Sequence, residues 1–302
     1  MLHTIEKIEK IEKIEKMNVL SLFDGMSCGQ IALNRAGFNI ENYYACEIDK
    51  YAIQITQANY PNTQQLGDVA KVSALDLPSL DLVIGGSPCQ GFSFAGKQLN
   101  FEDPRSKLFF EFVRLLKEAR VKNPNVKFLL ENVKMKKEYQ DIISEYLGVE
   151  PIKVNSNLVS AQDRIRYYWT NIQGFTLPKS KGLTLDDILD LDVPDKYNIT
   201  DSFYKKVPGT LAFKKSRANL RGLERCSKTL LTGGHSISNT GSTNIFYSKD
   251  FIRIPTPTEC ERLQTVPEGY TDIGILDSKR YHALGNGLTV DVIVEFFKNI
   301  KV

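Results

Sequence analysis

Four times before residue 135, a short apolar run stops at a glycine or an acid and gives way to a helical pattern. Val19-Leu20-Ser21-Leu22-Phe23 meets Asp24-Gly25, and Tyr43-Tyr44-Ala45-Cys46 meets Glu47. Leu82-Val83-Ile84 meets Gly85-Gly86, and Val126-Lys127-Phe128-Leu129-Leu130 meets Glu131. Short apolar runs suit strands buried on both faces. Strands that alternate with helices build an α/β domain around a mostly parallel sheet. Ligands in such sheets bind at the carboxyl ends of the strands. The residues just after each run are therefore the first candidates for a site.

The third run carries the most unusual continuation, Gly85-Gly86-Ser87-Pro88-Cys89-Gln90, followed by a loop with Gly91 and Gly96. A free cysteine is more often a small buried hydrophobe than a nucleophile. Cys89, between a proline and a glutamine at a strand end, fits a hydrophobe poorly, and from the local pattern alone the two readings stand even. The five cysteines are spread along the chain, with no CxxC pair and no Cys/His cluster. That spacing predicts neither a disulfide framework nor a metal site, and it suits a reducing, cytoplasmic compartment. No apolar run reaches the ~18 residues of a membrane span.

The other strand ends suggest a nucleoside ligand. The turn Phe23-Asp24-Gly25-Met26-Ser27-Cys28-Gly29 allows close backbone approach. Glu47 suits ribose hydroxyls, as an acid about 20 residues past such a turn does in nucleotide-binding sheets. Asp68 suits an adenine amino group. The GxGxxG spacing of dinucleotide sites is missing, so the pattern fits a nucleoside without a pyrophosphate, such as S-adenosylmethionine. Each acid alone is more often a solvated carboxylate; their shared placement favours a site. Glu131 suits an acid or hydrogen-bond donor. Arg164 and Arg166 flank Ile165, so on a strand they share a face, fitting a phosphate or a carbonyl oxygen or else an ordinary charged surface.

The chain divides unevenly. Residues 1–16 are a low-complexity Ile-Glu-Lys extension, and Met17 stands where the folded pattern begins. Residues 17–175 form the alternating domain. The alternation fades after Tyr167-Tyr168-Trp169, and 176–252 reads as an inserted domain. Within it Lys205 to Lys228 is strongly basic, although the net charge of the whole chain is only +3. Residues 253–302 return to the first domain through helical patterns near Pro257 and from Val290 to Lys298.

Taken in order, these residues resemble the DNA (cytosine-5) methyltransferase family. The motifs are Phe23-Asp24-Gly25 through Gly29, Glu47-Ile48, Asp68-Val69, Gly86-Ser87-Pro88-Cys89-Gln90, Glu131-Asn132-Val133, Gln162 with Arg164 and Arg166, Arg262-Leu263-Gln264, and Gly285-Asn286-Gly287. Each is weak alone; their order, with a basic insert before the last two, is specific. The loop from Phe92 to Arg105 resembles the catalytic loop of bacterial members. Phe23-Asp24-Gly25 and Leu108 to Phe112 are similar to the eukaryotic de novo enzymes. Ser27 departs from the glycine of many bacterial members.

The resemblance implies a Rossmann-like, S-adenosylmethionine-dependent methyltransferase sheet with a small, irregular, mostly β target recognition domain. It implies Cys89 as nucleophile on C6 of a flipped cytosine, with Glu131, Arg164 and Arg166 around the base. It implies cofactor contacts from Phe23, Asp24, Gly25, Gly29, Glu47, Ile48, Asp68, Val69, Pro88 and Asn286. Gln90, Ser93, Lys97 and Arg105 would meet DNA from the loop. Arg221, Arg225, Lys228, Thr232 and His235 would meet it from the insert, with Thr229, Ser236 and Asn239 as further readers. The expected partner is double-stranded DNA, met by a monomer, and a restriction endonuclease acting separately is compatible with it. Two other readings stay open: a tRNA cytosine-5 methyltransferase, and a catalytically inactive DNA-binding regulator.

Overall fold

The computed structural model describes residues 16–87, 104–199, 220–232, 244–248 and 251–301. Its centre is a seven-stranded sheet. The first strands and helices alternate as β1 (Lys16–Leu22), α1 (Cys28–Arg35), β2 (Asn39–Cys46), α2 (Lys50–Asn59), β3 (Gln64–Gln65) and β4 (Leu82–Gly86). Next come α3 (Pro104–Lys122), β5 (Lys127–Val133), α4 (Lys137–Leu147), β6 (Ile152–Asn155), β7 (Gln162–Asp163) and β8 (Ile165–Thr170). The sheet order is β3-β2-β1-β4-β5-β8-β6. Strands β1 to β5 are mutually parallel, and β8 runs antiparallel to both its neighbours. The α/β expectation holds. Strand order reverses at the β1–β4 pair, the position where open parallel sheets leave a crevice for ligands.

Alternate residues of each strand serve opposite faces of the sheet. Val19 of β1, Tyr43 of β2 and Ile84 of β4 join Ile31 and Leu33 of α1 in one buried cluster. Leu20, Tyr44 and Val83 join Phe109, Phe112 and Leu116 of α3 in the other. Burial on both faces is why these strands read as nearly continuous apolar runs. The first strand begins at Lys16, one residue inside the stretch read as an extension. Among the described residues no helix is long and apolar enough to cross a membrane.

The remaining elements are β9 (Leu220–Gly222), β10 (Ser227–Lys228), β11 (Ile245–Tyr247), β12 (Ile252–Arg253), α5 (Pro257–Leu263), α6 (Asp277–Asn286) and α7 (Val290–Phe297). Strands β12, β11 and β9 form a small sheet, while β10 pairs in parallel with β7. Phe296 of α7 joins the Val19 side of the core, so the chain end returns to the first strand.

A buried ion pair joins the small sheet to α5. Arg253 and Glu259 have side chains 1% and 0% exposed. The Arg253 Nη atoms donate to both Glu259 carboxylate oxygens at 2.7 and 2.6 Å. The backbone N–H of Asp190 and of Thr256 donate to the same carboxylate, each at 2.8 Å. Removing one member of such a pair strands the other charge without water, at a cost of about 3–5 kcal/mol. Arg253→Met is therefore expected to destabilise the fold by about that amount. Urea unfolding monitored by circular dichroism checks it, and an unchanged midpoint contradicts it.

Candidate active site

The carboxyl ends of β1, β2, β3 and β4 open into a cavity of about 830 Å³. Phe23, Asp24 and Gly25 line it from the turn after β1, and Glu47 and Ile48 from the end of β2. Asp68 and Val69 follow β3, and Gly85 and Gly86 end β4. Glu131 reaches in from β5, while His282 and Asn286 reach in from α6. Every predicted cofactor residue among the described ones lines this cavity, Gly29 included. Pro88 lies outside the described residues.

The first turn is held in unusual backbone conformations. Phe23, Gly25 and Ser27 have φ of 56°, 60° and 60°. Left-handed backbone at a non-glycine residue is strained, and such strain tends to sit at functional sites. It also shows why glycine is favoured where this chain has Ser27. The serine is retained through its hydroxyl: Ser27 donates to Asp24, and Gln30 Nε2 donates to Ser27 Oγ at 3.1 Å. Tyr43 donates its hydroxyl to Asp24 Oδ1 at 2.8 Å. Burial pushes the Asp24 carboxyl up to about 6, against the pull of these hydrogen bonds.

Glu47 does more than line the cavity. Its carboxylate accepts from the backbone N–H of Gly25 at 2.7 Å, Ile48 at 2.8 Å and Asp49 at 2.7 Å. It thereby holds the β1 turn against the end of β2. Asp68 caps a short 3-10 turn by accepting from Ala70 N at 3.0 Å. Ile48 is a large apolar side chain, 78% exposed among the described residues, and it lines the cavity.

Glu131 lines one end of the cavity, and Arg166 pairs with it from outside the lining. Register places Glu131 beside Gly86 of β4 and Tyr168 of β8. Arg166 Nε lies 2.7 Å from Glu131 Oε1, and both side chains are 11% exposed. A Cβ on Gly86 would stand 3.2 Å from Glu131 Oε2, so a side chain there would crowd the carboxylate. Asn132 donates to Ser87 Oγ at 3.1 Å and fixes the residue that precedes Pro88-Cys89.

Arg164 departs from the expected cleft-facing role. It is 3% exposed and does not line the cavity. Its Nη1 donates to the carbonyl of Leu230 at 3.0 Å, and its Nη2 to those of Gly285 at 3.3 Å and Gly287 at 3.0 Å. Burial first, then the Arg166 charge, pull its pKa down to about 10. Arg164 falls between β7 and β8, so the face expected from strand alternation has no continuous strand to carry it, and its carbonyl acceptors come from distant segments.

Thr232 lines the cavity, and Lys228 sits in β10. Arg221 sits in β9, and Arg225 is an exposed residue 3.3 Å from Glu224. Thr229 Oγ1 donates to the Asp163 carbonyl at 2.8 Å. Arg105 lies at the start of α3, with its side chain outside the described residues. Cys89, Gln90, Ser93, Lys97, His235, Ser236 and Asn239 lie outside them altogether. Cys28 and Cys46 are buried, and burial raises both thiols to about 12. Neither is suited to act as a thiolate.

Sequence reasoning missed the wall built by Lys50, Tyr51, Lys279 and His282. Lys50 and Lys279 each place Nζ over the Tyr51 ring, at 5.0 and 4.7 Å. A signal was available: His282 and Asn286 are four residues apart, hence on one face of a helix.

A mostly parallel sheet with glycine and acidic strand ends around a cavity at its carboxyl edge is a Rossmann-like arrangement. Two solved structures share it: the Entamoeba histolytica methyltransferase EhMeth and the S. pombe Dnmt2 methyltransferase. Their TM-scores are 0.74 and 0.75, each at 20% identity over 93% of this chain, and covering 96% and 97% of theirs. The chain belongs to the C-5 cytosine-specific DNA methylase family, whose model matches residues 17–302. It is thus an enzyme of the DNA cytosine-5 methyltransferase class. The type II methyltransferase M1.ScrFI of Lactococcus lactis subsp. cremoris is 30% identical over 91% of this chain and 75% of that one. The orphan methyltransferase M.SPRI of Bacillus phage SPR is 46% identical over 38% of this chain and 26% of that one.

Proposed function

We propose that the chain transfers a methyl group from S-adenosylmethionine to C5 of a cytosine flipped out of double-stranded DNA, through a covalent bond between Cys89 and C6. The observation that carries this reading is the Glu131–Arg166 pair beside Gly86, at the end of the strand whose sequence runs on to Cys89. A buried base cannot be reached inside a duplex, so such chemistry needs base flipping.

The acidic and apolar groups of the cavity lining support this cofactor. Asp24, Glu47 and Asp68 make an acidic wall for its cationic part and its hydroxyl and amino groups, and Ile48 offers an apolar surface to adenine. Asn286 completes the wall from α6. The bound cofactor supplies the electrophilic methyl group. Cys89, as thiolate, attacks C6. Glu131 stabilises the charge that builds at N3 and contacts the amino group, while Arg166 holds Glu131 and the base oxygen. C5 would then take the methyl group as its bond to sulfur breaks, leaving S-adenosylhomocysteine. Loss of the C5 proton to a base, with expulsion of Cys89, restores the aromatic ring.

Residues 17–175 would carry this chemistry, 176–252 would recognise the target, and 253–302 would complete the cofactor wall. Arg221, Arg225 and Lys228, with Lys97 and Arg105, would supply phosphate attraction without sequence information. Gln90, Ser93, Thr232 and His235 would approach the target nucleotides. The enzyme would act as a monomer in the cytoplasm, independently of any cognate endonuclease.

Duplex DNA in which 5-fluorocytosine replaces cytosine tests the mechanism. Fluorine at C5 cannot leave as a proton does, so the Cys89 adduct should persist as a denaturant-resistant complex that forms only with S-adenosylmethionine. Turnover on ordinary DNA without any trapped complex on the fluorinated duplex contradicts the covalent route.

A further inference from the structure

The mechanism leaves unused a buried polar joint on the far side of the cavity wall. Gln162, Arg164 and Gln264 are 0%, 3% and 0% exposed. Polar side chains buried this deeply are costly unless their hydrogen bonds are made, and here every side-chain nitrogen and oxygen but Arg164 Nε has a partner among the described residues. Gln162 Oε1 accepts from Leu230 N at 2.9 Å, and Gln162 Nε2 donates to Gln264 Oε1 at 3.1 Å. Gln264 Nε2 donates to the carbonyls of Leu284 at 2.7 Å and Gly287 at 3.0 Å. Arg164 spans the two sides, with Leu230 on one hand and Gly285 and Gly287 on the other. The two backbones also touch directly. A Cβ on Gly285 would come within 2.6 Å of Leu231 C and Thr232 N.

We infer that Arg164 is a positioning residue that couples the recognition segment 227–232 to the cofactor-facing end of α6, residues 285–287, so that filling the cofactor cavity orders the recognition segment. The inference rests on reading the cavity as the S-adenosylmethionine site. Asn286 lies in the cavity wall between the two residues whose carbonyls Arg164 holds. A ligand that fixes Asn286 fixes those carbonyls, and through the guanidinium fork it fixes the Leu230 carbonyl. Thr232, two residues on, lines the same cavity. Ordering by one ligand lowers the entropic cost of ordering for the next, and this coupling requires no change of fold. Lysine cannot replace the fork, because a single ammonium does not reach three carbonyls on two segments in the geometry of a planar guanidinium.

Amide hydrogen exchange of residues 228–232, with and without saturating S-adenosylhomocysteine, tests the inference. In the wild type the ligand should slow exchange about tenfold, a typical size for coupling between sites. In Arg164→Lys the slowing should fall below about twofold, although calorimetry still detects ligand binding. Gly285→Ala, which wedges the joint from the opposite side, should give the same loss, and it carries the test if the arginine variant fails to fold. Ligand binding to the wild type without slowed exchange overturns the coupling, as does full slowing in either variant. No heat of binding in the wild type overturns the cofactor reading and the coupling together. Intact coupling with a selectively lowered kcat in Arg164→Lys would return Arg164 to a catalytic contact.

Discussion

Cys89→Ala is expected to abolish methyl transfer while leaving DNA binding within about threefold of the wild type, since phosphate contacts carry most of that affinity. The C5 carbon of cytosine is a poor nucleophile until C6 is attacked, so the thiolate converts one difficult step into two easier ones. Removing a covalent nucleophile costs roughly 10⁴–10⁶-fold in rate. Cys28 and Cys46 cannot substitute, because burial holds both thiols near 12. The measurement is single-turnover methyl transfer with enzyme in excess over duplex, paired with a binding titration. Residual transfer above about one per cent of the wild-type rate would contradict the assignment of the nucleophile.

Glu131→Gln is expected to lower single-turnover methyl transfer by about 10²–10⁴-fold, the range typical of a positioned acid or base. Glutamine keeps the shape of the side chain beside Gly86 but removes the charge that faces Arg166 and the proton a carboxyl can share with N3. The arginine Nε, 2.7 Å away, would then face a neutral amide. Because both side chains of the pair are only 11% exposed, the variant also leaves the Arg166 charge without its carboxylate, and the melting temperature should fall as well. The cofactor Kd should be nearly unchanged, as Glu131 is assigned to the base. A variant that loses cofactor affinity but keeps its rate at saturation would move Glu131 from the base to the cofactor wall.

Much of the architecture was legible because burial on both faces leaves a one-dimensional signature. Val19 to Phe23 and Val126 to Leu130 are apolar but for Ser21 and Lys127, and the glycine or acid that ends each run marks the carboxyl edge of the sheet. Parallel strands bring all those edges together, so residues distant in sequence, such as Phe23, Glu47 and Asp68, were foreseeable as neighbours. The side-chain partners were not. Glu47 was read as a ligand acceptor, but it also accepts three backbone N–H groups that shape the β1 turn. Arg164 was read with Arg166 from strand alternation, yet its acceptors come from Leu230, Gly285 and Gly287, and no local pattern names them. Likewise, no local pattern pairs Arg253 of β12 with Glu259 of α5.

The most direct test of the account is transfer of a labelled methyl group from S-adenosylmethionine, offered in parallel to unmethylated duplex DNA and to total tRNA, followed by digestion to nucleosides. The account predicts label in 5-methyldeoxycytidine from the duplex, with none above background in the tRNA nucleosides. Label confined to 5-methylcytidine from tRNA would contradict the proposed substrate, and label in neither would contradict the proposed activity.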